Sequence, residues 1–302
     1  MLDLVARIPR LPERGEALFA HSFEMFVGGK GANQAIAAKR LGAGHVAFIG
    51  RVGTDAFGER IRATLDADGV DTRFVRSDPG AGTGVAMPLV FDDGGNSIIS
   101  VPRANLRLSV ADIEAARETI AGSRALLLQF EASMEANLAA ARLARASGVR
   151  VVLNTAPVAE CPPELLDLVD CLVANEVEAA ALAPGRPERP EDQARAFVAR
   201  GIPVAIVTLG EQGALVATRD AVQAIPAFAV RAVDTVGAGD AFCGALAVAL
   251  GEGLEVTAAA RFASAAGAVA VTRAGAAASL PTREEVEALM GSAPGGEPDR
   301  RP

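Results

Sequence analysis

The residues best equipped for chemistry in this sequence lie in two glycine-rich segments. In VDTVGAGDAFCGALAVAL, three small residues (Gly237, Ala238 and Gly239) run directly into an apolar helical pattern that begins near Asp240. Small residues let a backbone come close to a ligand, and the free N–H groups at a helix start carry the positive end of its dipole. Such a turn suits a phosphoryl group in transfer. A carboxylate at the same point can accept the proton of an attacking hydroxyl. The alternative is structural, because an Asp after a turn is also a common helix N-cap.

The second segment, FVGGKGANQAIAAKRLG, sets Gly28, Gly29 and Gly31 ahead of Asn33 and another Ala-rich stretch. It is not a Walker A loop, which needs Lys followed by Ser or Thr after a longer glycine spacing. Nor does it have the parallel strand and later ribose acid of a dinucleotide fingerprint. A tight strand-to-helix turn explains it equally well. Lysine occurs only at 30 and 39, so Lys30 inside a glycine cluster carries some information.

The elements that must hold these segments are legible. From about residue 110, short apolar runs alternate with Ala-rich helical patterns, as in a parallel sheet with crossover helices. The strand candidates are residues 125–130, 149–155, 171–175 and 204–210. Each is continuously apolar, as strands covered on both faces are. The first hundred residues instead alternate around LVARIP, FEMFVGG, GVAMPLVFD and NSIISV, which predicts a small antiparallel sheet. The tail SAPGGEPDRRP has no pattern that could pack and is expected to be disordered, residues 291–302 in all.

Composition removes several function classes. The net charge is −8 with no basic patch, which argues against nucleic acid as a partner. No apolar run is long enough to span a bilayer and no signal-peptide pattern is visible, so no membrane partner and a cytoplasmic location are expected. Cys161, Cys171 and Cys243 lack disulfide or metal spacing and read as buried thiols. His21 and His45, the only histidines, accompany no nucleophile or zinc motif, which leaves hydrolase and zinc readings unsupported.

Taken together, GGKGANQA and DTVGAGDAFCGAL resemble the two signature regions of the ribokinase family of carbohydrate kinases. The stretches LPERGE, LLLQFE, LNTAP, LVANEVEA, IVTLGEQGA and AVTRAGAAASLP keep family order between and around them. The resemblance implies a three-layer α/β/α domain over 1–290, with a mostly parallel central sheet and a small β-sheet lid drawn from 3–27 and 82–104. It implies transfer of the ATP γ-phosphoryl group to O5 of D-ribose, with Asp240 as base and the Gly237, Ala238 and Gly239 amides around the developing anion. The sugar would be held by Asp3, Gly29, Lys30, Asn33 and Glu131. Taken by themselves, Asp3 reads as a terminal acid and Glu131 as a solvated acid opening a helix. Nucleotide contacts would come from Asn154, Asn175, Thr208, Gly210 and Gly213. Glu178 would organise Mg²⁺ and water around the phosphates, although Asn175 and Glu178 also have the spacing of a capping box.

An activating K⁺ is implied at Asp234, Val236, Ala270, Arg273, Gly275 and Ser279, together with a homodimer formed through the lid sheet. Family members open with an apolar parallel strand ahead of the residue matching Asp3. That first core strand is expected to be missing here, with a late recorded start as its cause, or else a truncated and weakened kinase. The rival readings are a kinase for fructose, a keto-deoxy sugar acid or a nucleoside, and a catalytically dead sugar-binding regulator.

Overall fold

The computed structural model describes residues 1–92 and 95–292. The chain starts with β1 (Leu2–Ile8) and β2 (Ser22–Val27), enters α1 (Lys30–Arg40), and continues through β3 (Gly50–Gly53), α2 (Ala56–Ala67) and β4 (Val75–Asp78). A hairpin of β5 (Val85–Phe91) and β6 (Asn96–Val101) follows, then α3 (Val110–Ala115) and α4 (Arg117–Ala121). Next come β7 (Ala125–Leu128), α5 (Met134–Ala146), β8 (Arg150–Asn154), α6 (Pro163–Leu166), β9 (Cys171–Asn175), α7 (Glu176–Leu182), α8 (Pro190–Ala199) and β10 (Val204–Thr208). Strands β11 (Ala214–Ala217) and β12 (Val222–Ile225) precede α9 (Ala238–Gly251), α10 (Val256–Ala270) and α11 (Arg283–Ser292).

The central sheet has the order β12-β11-β10-β9-β8-β7, parallel from β7 to β10 and closed by antiparallel β11 and β12. Its apolar runs are continuous because alternate residues enter different cores. On β8, Val152 belongs to the core that holds Ile36, Leu246 and Phe262, while Val151 and Leu153 belong to the one that holds Ala140, Leu165 and Phe197. Helices α1, α9 and α10 therefore cover one face, and α5, α7 and α8 the other. Gly244 marks the crossing of α9 on α1: a Cβ there would lie 2.7 Å from Ala37 Cβ and 2.8 Å from Gln34 O. Only a residue without a side chain lets the two helices come this close.

The second sheet has the order β2-β1-β5-β6. The alternating pattern predicts antiparallel pairing throughout, and here the structure differs. β1 pairs antiparallel with β2, and β5 with β6, but β1 and β5 are parallel. The reason is connectivity. Hairpins reverse direction, whereas α1, α2 and the strands between them form a long crossover that returns β5 in the direction of β1.

Among the described residues the central sheet ends on β7, and β3 pairs only with β4. An apolar groove of about 730 Å³ separates β7 from residues 46–49, lined by Val46, Phe48, Leu126, Leu128, Ile113 and Val248. α11 extends through Ser292, two residues into the segment expected to be disordered, and 293–302 lie outside the described residues. Cys171 and Cys243 are buried, and burial pushes the Cys171 thiol up to about 12. Cys161 is only half-buried, in contrast to the expectation that all three are buried. Among the described residues no helix is long and apolar enough to cross a membrane.

Candidate active site

The C-terminal ends of the parallel strands open towards the amino ends of α1 and α9, the position where open α/β sheets bind ligands. α9 starts one turn earlier than its Asp. Gly237 is the N-cap, with φ 83°, and Asp240 sits inside the first turn, so the N-cap reading of Asp240 does not hold. Gly237 can take this left-handed conformation without the strain a Cβ would bring. The Ala238 N–H turns back to Thr235 O at 3.3 Å, and no acceptor among the described residues takes the amides of Gly237 and Gly239. Space above Gly239 is open: an added Cβ would meet nothing within 4 Å. Two of the three amides expected to bind an anion are thus free donors at a helix start.

Asp240 is buried, 7% exposed, and both of its carboxylate oxygens are held. Asn33 Nδ2 donates to Oδ2 at 2.8 Å and Gln34 Nε2 to Oδ1 at 3.0 Å. Lys30, Asn33 and Gln34 share one face of α1 at i, i+3 and i+4, which is why one short motif supplies several groups to one point. Asn33 Oδ1 is buried without a hydrogen-bond partner. A buried carbonyl oxygen left this way asks for a donor, and a sugar hydroxyl can supply one.

Around this centre stand the other expected residues. The Lys30 N–H donates to Glu131 Oε2 at 2.8 Å, joining the start of α1 to the end of β7. Burial opposes the charge on the Lys30 amine, but Asp240, Glu131 and Glu178 outweigh it and raise its pKa. Asp3, on β1, reaches over Gly28, where a Cβ would lie 2.1 Å from its Oδ2. Burial pushes the Asp3 carboxyl up to about 6; the terminal amine opposes this, Glu131 and Asp240 add to it, and Lys30 opposes it. The charges of Lys30, Glu131 and Asp240 thus all act on the Asp3 carboxyl.

The groups expected to meet nucleotide are spread along the strand ends. Asn154 is buried at the end of β8, donating to Val173 O at 3.2 Å. Asn175 and Glu178 form a capping box at the start of α7: Glu178 N–H donates to Asn175 Oδ1 at 2.8 Å, and Asn175 N–H to Glu178 Oε2 at 2.9 Å. Thr208 Oγ1 donates to Ala174 O at 3.4 Å. Gly210, with φ 56°, borders open space, whereas a Cβ on Gly213 would strike Ile225 O at 2.0 Å. Gly213 therefore serves the close approach of β11 and β12.

Two loops, 233–237 and 271–279, are joined through Asp234, which accepts from Val236 N–H and Gly275 N–H, both at 3.0 Å. Ala270 O and Ala276 O accept from Arg273 N–H and Ser279 N–H. His21 and His45 lie elsewhere, paired with Asp92 and Asp71 on the surface. Residue types and spacing alone did not single out Gln34, Gln129 or Gly244. The signal for Gln34 was present, one position after Asn33 on a helix face already marked as functional.

A model of the pfkB family carbohydrate kinases matches residues 1–283. The chain belongs to this family. It is 37% identical over 286 residues to a ribokinase of Haemophilus influenzae, covering 94% of this chain and 93% of that protein. It is also 37% identical over 290 residues to a deoxyribokinase of Salmonella typhimurium, covering 94% of each. Among solved structures, Arabidopsis thaliana ribokinase complexed with ribose and ATP matches with a TM-score of 0.86 at 34% identity, over 95% of both chains. The chain is therefore a carbohydrate kinase, as its two glycine-rich segments implied, and its α/β/α architecture is that of its relatives.

Proposed function

We propose that this kinase transfers the γ-phosphoryl group of ATP to O5 of D-ribose, giving ADP and D-ribose 5-phosphate. The observation that carries the mechanism is the Asp240 carboxylate, fixed at both oxygens within one helical turn of the free Gly237 and Gly239 amides. Asp240 takes the proton from O5 as the oxygen attacks phosphorus. The amides and the α9 dipole receive the charge that develops on the transferring group. Asp3, Asn33, Glu131, the Gly29 backbone and Lys30 hold the sugar hydroxyls, and Asn33 Oδ1 gains the donor it lacks. Asn154, Asn175, Thr208 and Gly210 border the nucleotide.

Mg²⁺ accompanies ATP. Glu178 and Asn175 fit its preference for oxygen and retained water, and the ion would neutralise phosphate charge there. A K⁺ site between the loops 233–237 and 271–279 suits the donor set present, which is backbone carbonyls and Ser279 Oγ. Among the described residues no cluster of three or more His, Cys, Asp or Glu is placed to hold a metal ion. The ion would order the turn that presents Gly237 and Gly239. Equal rates in potassium and in a large organic cation, at matched ionic strength, would overturn this part. A homodimer through the lid sheet is supported by exposed Phe23, Met25, Ile99 and Val101 on its two edge strands.

One observation favours a second substrate, since a deoxyribokinase is as similar as the ribokinase quoted. Turnover of ATP with ribose, 2-deoxyribose, fructose and a nucleoside decides. The proposal expects the highest kcat/KM on ribose, and preference for a hexose or nucleoside would refute it.

A further inference from the structure

The Asp240 carboxylate would rotate easily on its own, because its terminal torsion is a broad, two-fold well. Two side chains prevent this, and only one of them has a free polar atom left for a ligand. Asn33 keeps its buried Oδ1 open. Gln34, 1% exposed, is saturated inside the protein. Its Nε2 donates to Asp240 Oδ1 at 3.0 Å and to Asn154 Oδ1 at 3.1 Å, and its Oε1 accepts from Gln129 Nε2 at 2.6 Å.

The polarity of this chain of amides has one origin. Val173 O on β9 can only accept, so Asn154 must turn Nδ2 towards it, at 3.2 Å, and present Oδ1 to Gln34. Gln34 must then present its nitrogen, which gives Asp240 a donor. Gln129 closes the other side, its own backbone carbonyl held by Asn137 Nδ2 at 2.8 Å. A flipped Gln34 would set its oxygen against two acceptors and its nitrogen against a donor, so a single orientation satisfies every group. The Gly244 crossing brings α1 close enough for Gln34 to reach α9.

From this geometry we infer that Gln34 is a positioning residue for the phosphoryl transfer: through an amide relay held by β8, β9 and the residue that follows β7, it fixes the rotation of Asp240 so that a lone pair faces the sugar hydroxyl. The inference rests on the reading of Asp240 as the base. Asn33 holds the other oxygen and is free to follow the substrate, while Gln34 holds its oxygen whether or not sugar is bound. Prepositioning of this kind matters because small displacements of a reacting group lower rate strongly.

The test is a double-mutant cycle on the full chain, with Gln34→Met, which keeps length and volume but removes both donors, Asp240→Asn, and the pair together. Gln34→Met is expected to lower kcat by roughly 10- to 100-fold, with KM for ATP nearly unchanged, and to lose nothing further in the Asp240→Asn background. A merely structural residue would lower the melting temperature and reduce activity by the same factor in both backgrounds, and that result overturns the inference. So does a folded Gln34→Met with normal kcat. Near-normal turnover by Asp240→Asn alone identifies a different failure, that of the base assignment, and takes the inference with it. If Gln34→Met does not fold, Gln129→Met tests the same relay one link out. It should lower kcat a few-fold, again only when Asp240 is present, and an equal loss without Asp240 overturns the relay.

Discussion

The two halves of the site are built in opposite ways. The α1–α9 half is buried, its Asp240 carboxylate is held at both oxygens, and its helices touch at a glycine. The β2-β1-β5-β6 half is a single sheet layer that brings Asp3 over Gly28 while leaving Phe23, Met25, Ile98 and Ile99 exposed. Its root is tied down by polar contacts: Asp55, the N-cap of α2, accepts from Gly58 N–H at 3.0 Å and from Thr83 N–H at 2.8 Å, just ahead of β5. Nearby, Arg51 bridges Asp78 and Asp112 at 2.9 and 2.8 Å. The difference teaches where each property of the enzyme is stored. In the mechanism we propose, the chemistry belongs to the packed helical core, and one sugar contact, Asp3, belongs to a thin sheet layer with exposed apolar residues.

The largest effect that would sharpen this contrast is Asp240→Asn. It preserves shape but removes the carboxylate we propose as base, so kcat should fall by roughly 10² to 10⁴ with little change in nucleotide affinity. Steady-state kinetics check this, and turnover near the parent value would break the division of labour at its centre.

Next in size is Asp55→Ala, which removes a helix cap and the Thr83 anchor together. A loss of about 1–2 kcal/mol is expected in denaturant titration. The sugar KM should rise more than kcat falls. An equal fall in kcat would mean that the lid root also orders the helical half.

A smaller effect is expected from Met25→Lys with Ile99→Lys, which places charge on both edge strands of the lid. Sedimentation should show monomers, and KM for sugar should increase while kcat per folded site stays near the parent value. A dimer that persists would remove the lid from the interface.

The smallest effect is a pH dependence carried by Asp3. Its folded-state pKa is raised to about 6, chiefly by burial, so ionising it costs more in the native protein than in the unfolded chain. The sign follows. This contribution destabilises the native state above about pH 6 and is relieved as pH falls from there towards the ordinary carboxylate range. Sugar hydroxyls donate best to the ionised form, so KM for sugar should rise as pH falls through about 6, and Asp3→Asn should flatten that limb. A KM that is level between pH 5 and 7.5 would remove Asp3 from sugar binding.

Much of this was present in the linear chain. The runs at 125–130, 149–155, 171–175 and 204–210 announce a doubly covered sheet, because only strands buried on both faces can be apolar without alternation. The glycine cluster before α9 reads as a helix start suited to a phosphoryl group, and the one before α1 as a tight strand-to-helix turn. The parallel pairing of β1 with β5 was not legible, since alternation reports which face a residue takes and not which strand lies beside it. Gln34 was legible only as the neighbour of Asn33 in a segment already singled out. A glutamine on a helix is usually solvated, and only the crossing of α1 on α9 at Gly244 shows that this one is buried.

The sequence by itself determined the sheet and the family and nominated the acid to which we assign the chemistry, because these follow from local pattern and from motifs a few residues long. Only the tertiary structure decided how that acid is held. The relay joins Gln34, Gln129, Asn154, Val173 and Asp240, which lie far apart along the chain. A hydrogen bond depends on distance and direction in space, and neither can be read until the helices and strands have been packed together.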